Sequence, residues 1–262
     1  MILVTGASGQ LGSNTMSHLS NASTPVVGAS RQPTADQRRM DFDVPATLDF
    51  TDVEVLIFIS AGEAEDDVVI ARHSAVVDAA ERDGVDHVVY TSLTGAGDHL
   101  SFAMSHRWTE RRLQHSSLPW TILRNGLYAE LFATLTTPHD GVIGGAFGEG
   151  RLAAVTRDDL ARAAANVATY PARHRGKIYE LTGEVTIGAE DVAQSLEATY
   201  VPQSLGQVRG SLDHTPGLLP FQPPMLLSLH SAIAHGFLDK TSPDLRHLLG
   251  EAPTDPMVAF RS

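Results

Sequence analysis

The hydrophobic pattern divides the first two-thirds of the chain into alternating strand and helix segments. Residues 1–4 are apolar, residues 5–12 are small and punctuated by glycine, and residues 13–19 suit a helix, which predicts strand, tight turn and helix in that order. A second strand is expected over residues 25–30. Residues 53–60 form a nearly continuous apolar run, the pattern of a parallel strand covered on both faces, with Ser60, Ala61 and Gly62 at its carboxyl end. Val69, His73, Val76, Val77 and Ala80 then fall along one face of a predicted helix over residues 68–82, which stops near Gly84. A strand at 87–92, a helix at 104–116, a strand at 120–124 behind Pro119, a helix at 159–169 opened by Thr156 and a strand at 177–181 complete the series. Such alternation with short connections describes an α/β protein with a doubly wound parallel sheet, a Rossmann fold.

Beyond residue 184 the alternation fades. Pro216, Pro220, Pro223 and Pro224 predict a surface loop, flanked by helical pieces at 189–200 and 225–237. The expected organisation is a domain over residues 1–183 and a smaller lobe over 184–262 that covers the substrate, with residues 128–154 contributing to the cleft.

Composition narrows the function classes. At 262 residues the chain can bury a substantial core. With 31 acids against 19 bases it lacks the clustered cations that a nucleic-acid surface needs. The absence of cysteine excludes disulfides, thiolate metal sites and thiol catalysis. No basic leader and no bilayer-length apolar stretch occur, so a cytoplasmic protein without membrane contact is expected. His230 and His235 stand five residues apart and no H-E-x-x-H pair occurs, so no metal site is expected.

The glycines carry the chemistry. Gly6, Gly9 and Gly12 follow the first strand as G-x-x-G-x-x-G. Gly6 permits the tight exit, Gly9 lets the backbone approach a pyrophosphate, and Gly12 lets the helix pack on the sheet. Residues Gly6, Ala7, Ser8, Gly9, Gln10, Leu11 and Gly12 are therefore expected to hold a dinucleotide over the amides of a helix N-terminus. Arg31 ends the second strand where an NAD enzyme would place an acid on the ribose. A guanidinium there favours a 2′-phosphate and so NADP(H), its alternative role being that of a solvated loop cation. Ser60 is expected to pass under the cofactor.

A short-chain dehydrogenase ordinarily carries Tyr-x-x-x-Lys, and none follows Ser92. His106 and Glu110 stand there instead, one helical turn apart, where a carboxylate would orient the ring and raise its pKa; a packed or solvated histidine is the other reading. Ser92 is placed to bond a substrate carbonyl, and Asn125, Gly126 and Tyr128 should border the same cleft, with Tyr128 either stacking on a flat substrate or filling core.

Residues 6–12, 90–93, 106–110, 123–128 and 176–183 together resemble the NmrA-like atypical short-chain dehydrogenase/reductases, in particular their quinone-reductase and triphenylmethane-reductase members. The likeness covers residues 1–183. It implies an NADP(H)-dependent oxidoreductase that reduces quinones or related conjugated, electron-poor compounds without flavin. It also implies that residues 6–11, Arg31, the turn at 125–130 and Arg157 contact the cofactor or line its cleft. On this reading Ser92 or backbone amides stabilise the developing oxyanion and His106 at most assists. A catalytically silent NADP(H) sensor acting through a protein partner fits the missing Tyr-x-x-x-Lys equally well. An epimerase or dehydratase would normally need the absent tyrosine. A small-molecule substrate and a homodimer complete the expectations.

Overall fold

The computed structural model describes residues 1–34, 36–60 and 64–261. Its order begins β1 (Ile2–Val4), α1 (Gln10–Asn21), β2 (Val26–Ser30), β3 (Arg38–Arg39), β4 (Val55–Ile59), α2 (Asp66–Asp83), β5 (His87–Leu93), α3 (Ala103–Gln114) and β6 (Trp120–Asn125). It continues α4 (Ala129–Leu135), β7 (Val142–Gly145), β8 (Arg151–Leu152), α5 (Arg157–Thr169), β9 (Ile178–Leu181), β10 (Ile187–Gly188) and α6 (Ala189–Ser195). The chain closes with β11 (Thr199–Pro202), α7 (Leu205–Asp213), α8 (Gln222–Ala234) and α9 (Asp244–Leu249).

Seven of these strands form one parallel sheet in the order β3-β2-β1-β4-β5-β6-β9. Ile2 pairs with both Val26 and Val55, so β1 and β4 are neighbours and the order reverses between them. That reversal opens a crevice at the strand carboxyl ends, where ligands of such sheets bind. The apolar run in β4 is buried because α1 and α5 cover one face of the sheet while α2 and α3 cover the other. Gly84 ends α2 in the left-handed region (φ 73°), where a side chain would be strained. At the start of α5, Thr156 Oγ1 accepts from the Asp159 amide at 3.2 Å, the expected cap.

A second apolar cluster gathers Leu93, Phe132, Ile143, Phe147, Leu152, Val192, Leu229 and Ile233 from β5, α4, β7, β8, α6 and α8 and the turn after β7. It joins residues from either side of α5 and β9, so this cluster is assembled from two stretches of chain. Leu245 and Leu248 of α9 return instead to the cluster of β1, α1 and α5. The tail from 184 to 262 is therefore shared between two cores.

Two expectations for the tail are corrected, and one helix is added. The helix expected over 189–200 stops at Ser195; Glu197 takes φ 52° and β-branched Thr199 and Val201 continue as β11, paired in parallel with β7. Pro223 and Pro224 lie not in a loop but in the first turn of α8, where a missing amide costs no intrahelical bond. Helix α7 was not foreseen, although Ser204 and Gln207 form a reciprocal capping box before it.

Candidate functional site

The crevice at the sheet reversal holds a cleft of about 530 Å³. Its floor is the turn between β1 and α1. Gly6 adopts φ 62°, and a Cβ on Gly12 would collide with the Gly6 carbonyl oxygen and stand 2.8 Å from its carbon. Only glycine lets α1 begin so close to the strand. Gly9 caps α1 without any side-chain hydrogen bond, and no acid occupies the first turn. Among the described residues the first-turn amides therefore face the cleft without a side-chain acceptor, in the positive field of the helix N-terminus.

Most of the expected cofactor residues meet here. Gly6, Ser8, Gly9, Gln10, Leu11, Gly12, Arg31, Ser60 and Arg157 all line the cleft, and Tyr128 forms part of its wall. Ala7 does not: it is buried beneath the turn, where its amide donates to the Ala29 carbonyl at 3.1 Å and its methyl packs where a Gly28 Cβ would otherwise stand. Asn125 and Gly126 also lie behind the lining. The Gly126 amide donates to the Leu181 carbonyl at 2.8 Å, and the Asn125 side chain acts on the Tyr128 phenol. Asn125 Oδ1 is itself buried without a protein partner. Ala61 and Gly62 fall outside the described residues.

Sequence reasoning missed one wall. Met40, Asp41, Phe42 and Asp43 follow the short β3 and close the end of the cleft nearest Arg31. Arg72 grips Asp43 with two bonds of 2.7 Å, which holds that carboxyl below its ordinary pKa, and the Arg31 charge adds to the shift. The D-F-D run after β3 was the available signal. At the opposite end the Arg157 guanidinium lies 4.6 Å above the Tyr128 ring, and burial pushes the phenol pKa up.

The expected catalytic residues are arranged differently. Ser92 is buried and its hydroxyl donates to Glu110 Oε1 at 2.6 Å, so it does not face the cleft. Glu110 is buried too, and accepts from Arg124 through Nε at 2.9 Å and Nη2 at 2.6 Å and from Arg107 at 2.8 Å. Arg124 continues to Glu180 at 3.0 Å, and the pair with Glu110 drives its pKa further up. This closed network ties α3 to β5, β6 and β9. Glu110 therefore anchors the sheet edge and does not steer His106. The His106 pKa is not raised but lowered to about 4, by burial first and then by the Arg107 charge, and these outweigh the pull of Glu110. Its Nδ1 instead meets the Tyr90 hydroxyl at 2.9 Å.

Residues 6–171 match the NAD(P)H-binding family model. The chain belongs to that family. Among its relatives, quinone oxidoreductase 2 of Escherichia coli is 33% identical, with 97% of this chain and 95% of that protein covered. The Citrobacter sp. triphenylmethane reductase complexed with NADP(H) superposes with a TM-score of 0.90 at 29% identity, over 99% of this chain and 98% of that one. The NADPH complex of an Escherichia coli NADPH-dependent quinone oxidoreductase gives 0.89 at 31%, over 100% and 99%. The family assignment agrees with the NmrA-like resemblance carried by the motifs and makes the protein an NAD(P)H oxidoreductase.

The residues fit the dinucleotide that the family binds. A tight turn in which Gly6 takes a positive φ and Gly12 leaves no room for a Cβ brings the start of α1 up against the strand, and the first-turn amides of α1 supply donors for a phosphate. The orphaned Asn125 Oδ1 and the cations Arg31 and Arg157 add polar anchors along or behind the same cleft.

Proposed function

We propose that this protein is a flavin-independent NADPH reductase of quinones or similarly conjugated, electron-poor compounds. The observation that carries the reading is the glycine turn itself. It opens into one continuous cleft running from Arg31, past the amides of α1, to Ser60, Tyr128 and Arg157. NADP(H) is the cofactor, as in the solved complexes of the two reductases. Residues 6 and 8–12 bind its pyrophosphate, and Arg31, exposed beyond β2, meets the 2′-phosphate. The reduced nicotinamide supplies a hydride when bound.

The chain's own share is positioning. Tyr128 with Arg157 stacked on it presents a flat, cation-backed wall against which a planar acceptor can lie. A quinone delocalises the charge it gains, so orientation supplies much of the rate. The names of the relatives, a quinone oxidoreductase and a triphenylmethane dye reductase, support this acceptor class.

The test is oxidation of NADPH by a panel of quinones and cationic triphenylmethane dyes with protein freed of flavin. Saturable, protein-dependent turnover of at least one class is expected. Tight NADPH uptake with no turnover of any acceptor would identify a sensor and overturn the reading.

A further inference from the structure

A nicotinamide dinucleotide offers hydrogen-bond donors of few kinds: the hydroxyls of its two riboses, the adenine amine and the carboxamide amine. Its phosphates and its carbonyl accept. Which of these a serine can meet depends on where the serine's own proton goes. Ser60 follows β4 at the carboxyl edge of the sheet and lines the cleft. The side chain of the preceding Ile59 stands 3.6 Å from where a Cβ on Gly6 would lie, so Ser60 borders the turn that receives the pyrophosphate.

Behind Ser60 a buried pair fixes that proton. Ser60 Oγ lies 3.3 Å from Nε2 of His73, a fully enclosed residue of α2. His73 Nδ1 lies 2.7 Å from Thr109 Oγ1, and that hydroxyl already donates its one proton to the Ser105 carbonyl at 2.8 Å. Nδ1 therefore carries the ring proton and donates to Thr109. Burial holds the His73 pKa down to about 3, with the His106 and Arg72 charges adding to the effect, so near neutral pH the ring is uncharged and Nε2 keeps only a lone pair. A bare nitrogen can only accept. Ser60 thus donates to His73 and turns lone pairs toward the cleft. The Phe58 and Tyr90 rings pack edge-on against the imidazole, at 4.9 and 5.9 Å between centroids, and hold its plane.

We propose that Ser60 is a hydrogen-bond acceptor for a ribose hydroxyl of the bound dinucleotide, and that His73, itself held by Thr109, is the positioning residue that gives Ser60 this polarity. The proposal rests on the NADP(H) site read above. Arg31, Met40 and Asp43 close the far end of the cleft, where the adenine amine belongs, whereas the riboses flank the pyrophosphate beside Ser60. A phosphate or a quinone oxygen at Ser60 would set lone pairs against lone pairs. Ser60 therefore recognises the sugar of the cofactor and does not stabilise charge on the acceptor.

Calorimetry with NADP⁺, with 2′-phospho-ADP-ribose, which lacks the nicotinamide, and with adenosine 2′,5′-bisphosphate, which keeps only the adenosine ribose, tests the assignment. In Ser60→Ala, affinity for NADP⁺ and for 2′-phospho-ADP-ribose should fall about threefold to tenfold, the loss of one neutral hydrogen bond. An equal fall with the bisphosphate assigns the adenosine ribose, and an unchanged bisphosphate affinity assigns the other. His73→Phe should weaken the same ligands as much, and the doubly substituted protein no further, because His73 acts through Ser60. Nitrogen NMR reads the polarity without any ligand: His73 should show a protonated Nδ1 and a bare Nε2, and the Nε2 resonance should shift in Ser60→Ala. Since every arm is read by binding or by NMR, the result stands apart from quinone turnover. A protonated Nε2 in the unsubstituted protein, unchanged affinity for all three ligands in Ser60→Ala, or a fall confined to NADP⁺, which would make the carboxamide the donor, overturns the role of Ser60. Additive losses in the doubly substituted protein overturn the part of His73. Uptake of none of the ligands by the unsubstituted protein overturns the cofactor site and this proposal together.

Discussion

The Ser92 hydroxyl donates to Glu110 Oε1 across 2.6 Å, and both side chains are buried. A serine near the carboxyl end of β5 thus serves the network that ties α3 to the sheet, because Glu110 needs donors to offset the cost of its burial and finds them in Ser92, Arg107 and Arg124. Glu110→Gln should lower unfolding free energy by about 3–5 kcal/mol, the usual consequence of stripping one partner from a buried ion pair. Ser92→Ala should cost about 1 kcal/mol and leave turnover within a few-fold. Urea unfolding with parallel kinetics checks both, and a Ser92→Ala variant that keeps its stability but loses activity would restore Ser92 to the reaction.

Gly12→Ala forces a Cβ onto the backbone of Gly6, so the turn must open. Overpacking of this kind costs about 1–3 kcal/mol, and the displaced amides should weaken NADPH binding more than tenfold by calorimetry. Affinity equal to that of the unsubstituted protein would remove the turn from the phosphate site.

How much of this was legible in the sequence depended on the range of the interaction. The turn at residues 6–12, the apolar β4 run and the Thr156 cap are local patterns, and each stands where its spacing placed it. Glu110 was read against its helical neighbour His106. Its strongest partner, Arg124, lies on another element, and which face of β5 carries Ser92 is set by strand register. β11 was lost for a similar reason: it exists through its pairing with β7, far earlier in the chain.

Arg31→Asp tests cofactor selection. Charge-assisted bonds contribute about 1.5–3 kcal/mol, so NADPH affinity should fall about 10–100-fold while NADH affinity changes little. Titration of both cofactors decides it, and an unchanged NADPH preference would leave Arg31 a solvated cation.

Acid should destabilise the protein well above the carboxylate range. Burial lowers His73 to about 3 and His87, His106 and His230 to about 4. An unfolded histidine titrates near 6.5. Between those values the unfolded chain binds more protons than the native one, so stability is full above about pH 7 and falls as pH drops through 6.5. At about pH 5 each of the enclosed rings His73, His87 and His230 should cost up to about 2 kcal/mol, with half-buried His106 contributing less. Urea midpoints at about pH 7.5 and pH 5 measure this, and equal midpoints would contradict it.

The central claim is that the cleft beside residues 6–12 presents NADPH for hydride transfer without a flavin. Its most direct test is a single turnover, in which flavin-free protein loaded with NADPH is mixed with benzoquinone and both products are followed. The account predicts oxidation of bound NADPH in step with hydroquinone formation, one for one, slowed when deuterium replaces the transferred hydrogen. Bound NADPH that stays reduced in the presence of the quinone would contradict it.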